Sequence, residues 1–185
     1  MGAGKGFANV VGLAIGTGVA GGHAVNGQLV PDMNGQHGEY GHVPLPATFA
    51  AEHDLPIIKC GCGLTGCFET YLAGPGLVRL AEQLTGQTYS SHEIMSGLPT
   101  VRAAWLQLVS HLVALITRAH DPDVIILGGG LGMIEGLPAD LVDAMDGQML
   151  ANTDLPQIMR AAHGDASGAL GAAIHALQLQ EHYHD

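Results

Sequence analysis

Residues 60 to 69 read CGCGLTGCFE, and they restrict this chain more than any other stretch. All three cysteines of the 185 residues fall inside these ten positions, spaced C-x-C-x4-C and threaded with three glycines. That spacing is too crowded for three independent core thiols, and an odd number leaves one over in any disulfide scheme. Thiols packed this closely with nothing to bind are an oxidation liability. Three thiolates and one imidazole at four corners make a closed structural zinc site, and intervening glycines let the backbone curl until the sulfurs converge. Cys60, Cys62 and Cys67 supply three corners. By chemistry, His42 in GEYGHVPLP is the best placed fourth ligand, since that segment enters the same loop region. His37 and His53 are alternatives that spacing leaves open. Four protein ligands leave no open position, so the ion is expected to hold the loop and do no chemistry.

The composition agrees with a reducing, globular setting. Apolar residues make up 47% and charged residues 12%, enough for one real core. Three cysteines without a disulfide framework point to the cytoplasm. A net charge of −11, with only six Lys and Arg, argues against nucleic acid as a partner. After Lys5, FANVVGLAIGTGVAGG has the apolarity of a leader, but Gly12, Gly16, Thr17 and Gly18 break it. No apolar run is expected to approach the ~20 residues of a membrane span.

Along the chain, VVGLAIGTG reads as a buried strand entering a glycine turn. GGHAVNGQLV reads as its return arm, with a further turn at Asn26-Gly27. Residues 31–69 are loop-rich, which in a compact domain implies function or a staple. A helical pattern runs from Thr70 to about Leu84, interrupted at Gly74-Pro75-Gly76. The clearest helix spans 100–120, with Trp105, Leu108, Leu112 and Leu115 at helical spacing and Asp121-Pro122 as its stop. DVIILGGG reads as a buried strand, and a last helix covers about Ser167 to Gln180, with His182 and His184 as a solvated tail. This order predicts an α/β domain.

GEYGHVPLP followed by CGCGLTGCFE resembles the E-x-G-H and C-x-C-G-x-x-G-C-x-E signatures of the repressor–ORF–kinase (ROK) family, most closely its bacterial N-acetylglucosamine kinases. LAIGTGVAGG, VIILGGGL and HGDASGALGAA resemble that family's second phosphate segment, adenosine-side strand and closing helix. The resemblance implies an actin-like ATPase, ribonuclease H-like fold with a zinc-stapled loop over about 35–69, and ATP-dependent phosphorylation of a hexose, N-acetyl-D-glucosamine first, at its 6-hydroxyl. Glu39, His42 and Glu69 would contact sugar hydroxyls, with His42 also on Zn2+ beside Cys60, Cys62 and Cys67. Gly16, Thr17 and Gly18 would face the phosphates of Mg2+-bound ATP, and Gly129 and Gly130 its adenosine. Carboxylates suit the first role because each accepts two hydroxyl protons at once. Glycines suit the second because backbone N–H groups can approach phosphate closely.

The family's catalytic aspartate sits in an Asn-Asp context, and no Asn-Asp occurs in this chain. Residues 1–185 are therefore expected to be the C-terminal lobe alone, without the N-terminal lobe, and inactive or nearly so by themselves. Exposed apolar cleft surface would then favour self-association, and family members are commonly homo-oligomers. Glucose, fructose and N-acetylmannosamine are alternative substrates, and a sugar-binding or regulatory module is the alternative function. No helix-turn-helix pattern accompanies the last of these.

Overall fold

The computed structural model of the chain describes residues 2–182, without the side chains of residues 165 and 178–182. His182, expected in a tail, is instead the last residue of α8, and His184 lies outside the described residues. Five strands form one mixed sheet: β1 (Asn9–Ile15), β2 (Val19–Val25), β3 (Gln28–Leu29), β4 (Val124–Gly128) and β5 (Gln157–Arg160), in the order β3-β2-β1-β4-β5. β1 and β2 make the expected hairpin, with Ile15 opposite Val19 across Gly16-Thr17-Gly18. The second turn uses Asn26 and Gly27, both at positive φ (51° and 77°), as a two-residue hairpin loop requires. β1 pairs in parallel with β4, and β4 in parallel with β5.

Alternation in β1 sends Val11, Leu13 and Ile15 into the core, where Ile125 and Leu127 of β4 join them. Helices cover that face: α1 (Ala47–Glu52), α2 (Glu69–Leu72), α3 (Gly74–Thr85), α4 (Ser91–Gly97) and α5 (Pro99–His120), followed after β4 by α6 (Gly129–Gly132) and α7 (Leu137–Ala144). α5 is the spine, starting on Pro99 and stopping at Asp121, whose φ of 45° turns the chain out of the helix. Trp105 is fully buried in its second turn, and its indole N–H donates to the Leu72 carbonyl at 2.8 Å. Against the expectation of no such run, α5 is long and apolar enough to cross a membrane, but 61% of its most apolar window is buried inside the fold. The other sheet face carries small residues, with residues 2–7 and the start of α8 (Ser167–His182) around a cleft of about 750 Å³.

The helical pattern at 70–84 breaks one residue earlier than expected. Ala73 is extended (ψ 166°), and Gly74-Pro75 open α3 instead of interrupting a helix. A Cβ on Gly76 would lie 2.7 Å from the Glu69 carbonyl, so glycine is what lets α3 fold back on α2. The sequence reading missed α1, α4, α6, α7 and β5, with α6 standing where a glycine turn was expected. α4 had a legible signal, the capping box in which the Ser90 hydroxyl accepts from the Glu93 N–H while the Glu93 carboxylate accepts from the Ser90 N–H.

A polar clasp joins the start of β1 to the end of α5. The Asn9 amide donates to the carbonyls of His120 (2.8 Å) and Asp121 (2.9 Å), and Asp123 accepts from the backbone of Ala8 and Asn9. With both amide protons used, Asn9 Oδ1 is left to accept from His23 Nε2 at 2.7 Å. His23, His37 and His120 then stand together, with ring centres 4.6 to 5.9 Å apart, and His120 meets the Tyr40 hydroxyl at 3.1 Å. Burial, and secondarily the neighbouring imidazoles, hold His23 and His120 below the usual histidine range. The unfolded chain therefore takes up these protons first as pH falls below about 6.5, so stability declines on acidification. Denaturant melts should show a falling midpoint from pH 7.5 to 5.5. His23→Gln keeps a donor to Asn9 without the titrating ring, so its decline should be shallower; equal slopes would contradict this account.

Candidate metal centre and the glycine turns beside it

The loop after β3 folds around two short antiparallel bridges, Pro44 with Cys67 and Lys59 with Thr65. Cys60 N–H donates to the Leu64 carbonyl (2.8 Å) and Gly66 N–H to the Ile58 carbonyl (2.8 Å), making a tight knuckle. Gly63 and Gly66 turn it at φ of 95° and 77°, which a residue with a Cβ rarely adopts. Phe68 N–H then donates to the Val43 carbonyl at 3.0 Å, so the segment carrying His42 is stitched to the one carrying Cys67.

These bonds bring His42, Cys60, Cys62 and Cys67 together, with one ligand atom from each lying within 4.8 Å of all the others. Cys62 and Cys67 sulfurs are 3.7 Å apart, as are Cys60 Sγ and His42 Nδ1. A disulfide needs about 2.05 Å, whereas thiolates held about 2.3 Å from one tetrahedral ion lie about 3.8 Å from each other. The donor set and its spacing therefore fit a tetrahedral divalent ion. The rival imidazoles stand elsewhere: His37 in the cluster with His23 and His120, and His53 on Gln107 (3.0 Å) and the Phe49 ring. Burial pushes the Cys67 thiol up to about 12, while a hydrogen bond from the backbone of Leu64 leads those that lower Cys62.

The two expected substrate acids flank this knot. Glu39 Oε2 lies 3.5 Å from His42 Nε2, and Glu69 Oε1 lies 4.0 Å from Cys60 Sγ. Glu39, His42, Cys60 and Glu69 thus form a continuous line of contacts, and the far oxygen of Glu69 accepts the Val19 N–H at 2.8 Å. This last bond was not foreseen. It reaches the glycine turn between β1 and β2, where Gly16 N–H closes on the Gly18 carbonyl at 2.9 Å.

Gly129 and Gly130, which open α6 where a glycine turn was expected, lie directly alongside, because β1 and β4 are parallel neighbours and both glycine segments sit at their C-terminal ends. A Cβ on Gly16 would come within 3.8 Å of the Gly130 nitrogen and 3.9 Å of Gly129 Cα. Gly16, Thr17, Gly18, Gly129 and Gly130 are thereby gathered at the end of two adjacent strands, the place where α/β sheets bind ligands.

The chain belongs to the ROK family, whose profile matches residues 1–179. It is 38% identical over 181 residues to the N-acetylgalactosamine kinase of Shewanella sp. (strain ANA-3), which spans 94% of this chain and 59% of that relative. It is 37% identical over 174 residues to the N-acetyl-D-glucosamine kinase of Escherichia coli O9:H4 (strain HS), spanning 89% of this chain and 57% of the relative. Among solved structures, the ROK hexokinase from Thermus thermophilus superposes with a TM-score of 0.78 at 30% identity, over 98% of this chain and 61% of that one. A ROK glucokinase from Streptomyces griseus in complex with glucose and AMPPNP has the same fold, with a TM-score of 0.74 at 23% identity over 95% and 62% of the two chains. The fold is thus that of the ROK sugar kinases, as expected from the sequence, and this chain spans under two thirds of each of these relatives.

Gly129 and Gly130 differ in what they tolerate. Gly129 has φ of 74°, and a Cβ there would sit 2.6 Å from the Ile15 carbonyl oxygen, whereas nothing lies within 4 Å of a Cβ on Gly130. Gly129→Ala should destabilise the fold by more than about 2 kcal/mol and Gly130→Ala by less than about 1 kcal/mol. Urea melts of the pair check this, and similar midpoints for both would contradict it.

Proposed function

We propose that this chain supplies the sugar-binding, metal and part of the nucleotide machinery of an ATP-dependent kinase acting on an N-acetylated amino sugar. The observation that carries the reading is the unbroken line from Glu39 through His42 and Cys60 to Glu69 and on to the glycine turn. Its kinship with kinases of N-acetylgalactosamine and N-acetylglucosamine supports a 2-acetamido hexose as substrate. The phosphoryl group would pass from Mg2+-bound ATP to the 6-hydroxyl.

In this reading zinc is held by His42 Nδ1, Cys60, Cys62 and Cys67, and it supplies rigidity only. Nδ1 on an ion obliges His42 Nε2 to keep its proton, so that nitrogen donates, either to Glu39 or to a sugar hydroxyl. Glu39 and Oε1 of Glu69 are left to accept hydroxyl protons from the sugar. Acids carried on a stapled loop hold the substrate in one orientation, which is where much of the advantage of a bound reaction arises. The Gly16–Gly18 turn offers backbone N–H groups and the Thr17 hydroxyl to phosphate, with Gly129 and Gly130 beside the adenosine. Sulfurs kept reduced on an ion suit the cytoplasm. None of these residues takes the proton of the attacking hydroxyl, so the 185 residues alone bind sugar without turning it over at ~1–100 per second.

Calorimetric titration of the metal-loaded chain tests the assignment. N-Acetylglucosamine or N-acetylgalactosamine should bind at one site per chain, and Glu39→Ala should weaken that binding at least about tenfold, the scale of one lost charged hydrogen bond, with metal content unchanged. A metal-loaded chain that takes up neither sugar sinks the proposal.

A further inference from the structure

Glu69 has two oxygens in two different places, and only one of them is free for a substrate. Oε2 accepts the Val19 N–H at 2.8 Å. The hairpin gives that N–H no other partner, because Ile15 and Val19 face each other between hydrogen-bonded pairs and the turn closes one step further on, from Gly16 N–H to the Gly18 carbonyl. The neighbouring outward amide of β2, on Gly21, is taken by the Gly38 carbonyl at 2.7 Å. β2 is therefore held along its edge by the two ends of the cysteine loop. At the other side of the turn, Gly74 N–H donates to the Gly16 carbonyl at 2.7 Å. Gly18 lacks a side chain where one would meet Glu69, since a Cβ there would lie 3.0 Å from Oε2.

Glu69 follows Cys67 by two residues, and Cys67 is one corner of the four-ligand knot. The Thr70 hydroxyl and N–H both donate to the Cys67 carbonyl, at 2.6 and 3.1 Å, so the chain from sulfur to carboxylate has little slack. The geometry points to Glu69 as a positioning residue: its carboxylate transmits the occupancy of the thiolate–imidazole site to the Gly16–Gly18 turn. Metal binding then sets the shape of the phosphate turn as well as that of the sugar loop. The inference rests on the metal reading above and is independent of which sugar is bound.

Hydrogen exchange at the single Val19 amide reads this coupling in the 185-residue chain. Stripping zinc from the unaltered protein should speed Val19 exchange about tenfold, the scale of one lost charged hydrogen bond, while core amides such as that of Leu108 stay slow. With zinc still bound at one per chain, Glu69→Ala should give the same fast rate, and removing zinc should then add nothing. Glu69→Gln retains a carbonyl oxygen for Val19 and should restore slow exchange. Gly18→Ala, which crowds the carboxylate from the other side, should also speed Val19 with metal in place, so the test survives a poorly folding Glu69→Ala. The inference is overturned by a Val19 rate indifferent to metal, by a slow Val19 in Glu69→Ala, or by a chain that binds no metal. Loss of metal from Glu69→Ala overturns it as well, since the carboxylate would then be holding the ion. Failure to bind amino sugar alongside the expected exchange pattern refutes only the substrate assignment; sugar binding with an indifferent Val19 refutes only the coupling.

Discussion

Everything in the candidate site depends on the convergence of three sulfurs and one imidazole. The loop between β3 and α2 contains a single short 3-10 turn and a six-residue helix, too little regular structure to fix side chains over some forty residues. What fixes it is cross-bracing: His42 and Cys67 on two bridged segments, Cys60 and Cys62 on a knuckle folded back between them. Burial of Tyr40, Leu45, Phe49, Leu55 and Phe68 ties the loop to the core, and in the proposed reading a shared ion at that crossing would fix the ligand side chains as well. Both acids proposed for the sugar hang directly from it, Glu39 beside His42 and Glu69 two residues beyond Cys67.

The knot also explains how an outer part of the sheet is kept in order. β3 pairs with β2 over only two residues, so most of the outer edge of β2 would otherwise present bare amides. The loop covers that edge through the Gly38 carbonyl and the Glu69 carboxylate. Close approach is possible because the facing positions are glycines: a Cβ on Gly21 would lie 2.6 Å from Tyr40 Cε2 of the loop, and one on Gly38 would lie 2.1 Å from the Gly21 carbonyl oxygen. The sheet, the two glycine segments and the cysteine knot thus form one connected body.

The parts of this arrangement that follow from local chemistry were legible in the sequence. Clustered thiols, a glycine hairpin, an apolar helix over 100–120 ended by Asp-Pro, and a buried strand entering Gly-Gly-Gly each declare themselves locally. The E-x-G-H and cysteine signatures added the family. What was not legible depends on pairs far apart in sequence. His37, His42 and His53 are equivalent by spacing, and only the fold sends the first to His23 and His120 and the last to Gln107. Asn9 looks like an ordinary strand residue until β1 and α5 bring it to the carbonyls of His120 and Asp121. Glu69 could be read as a sugar ligand from its motif, but its bond to Val19 spans fifty residues and left no trace in the motif. α1 and α7 are short and built largely of small or mixed residues, so their periodicity is weak.

Metal-edge X-ray absorption of the purified protein is the shortest route to the premise beneath all of this. One zinc per chain, with three sulfurs at about 2.3 Å and one nitrogen at about 2.0 Å, is the result this account predicts. A protein that purifies without stoichiometric metal, or an ion surrounded by oxygen and nitrogen alone, would contradict it.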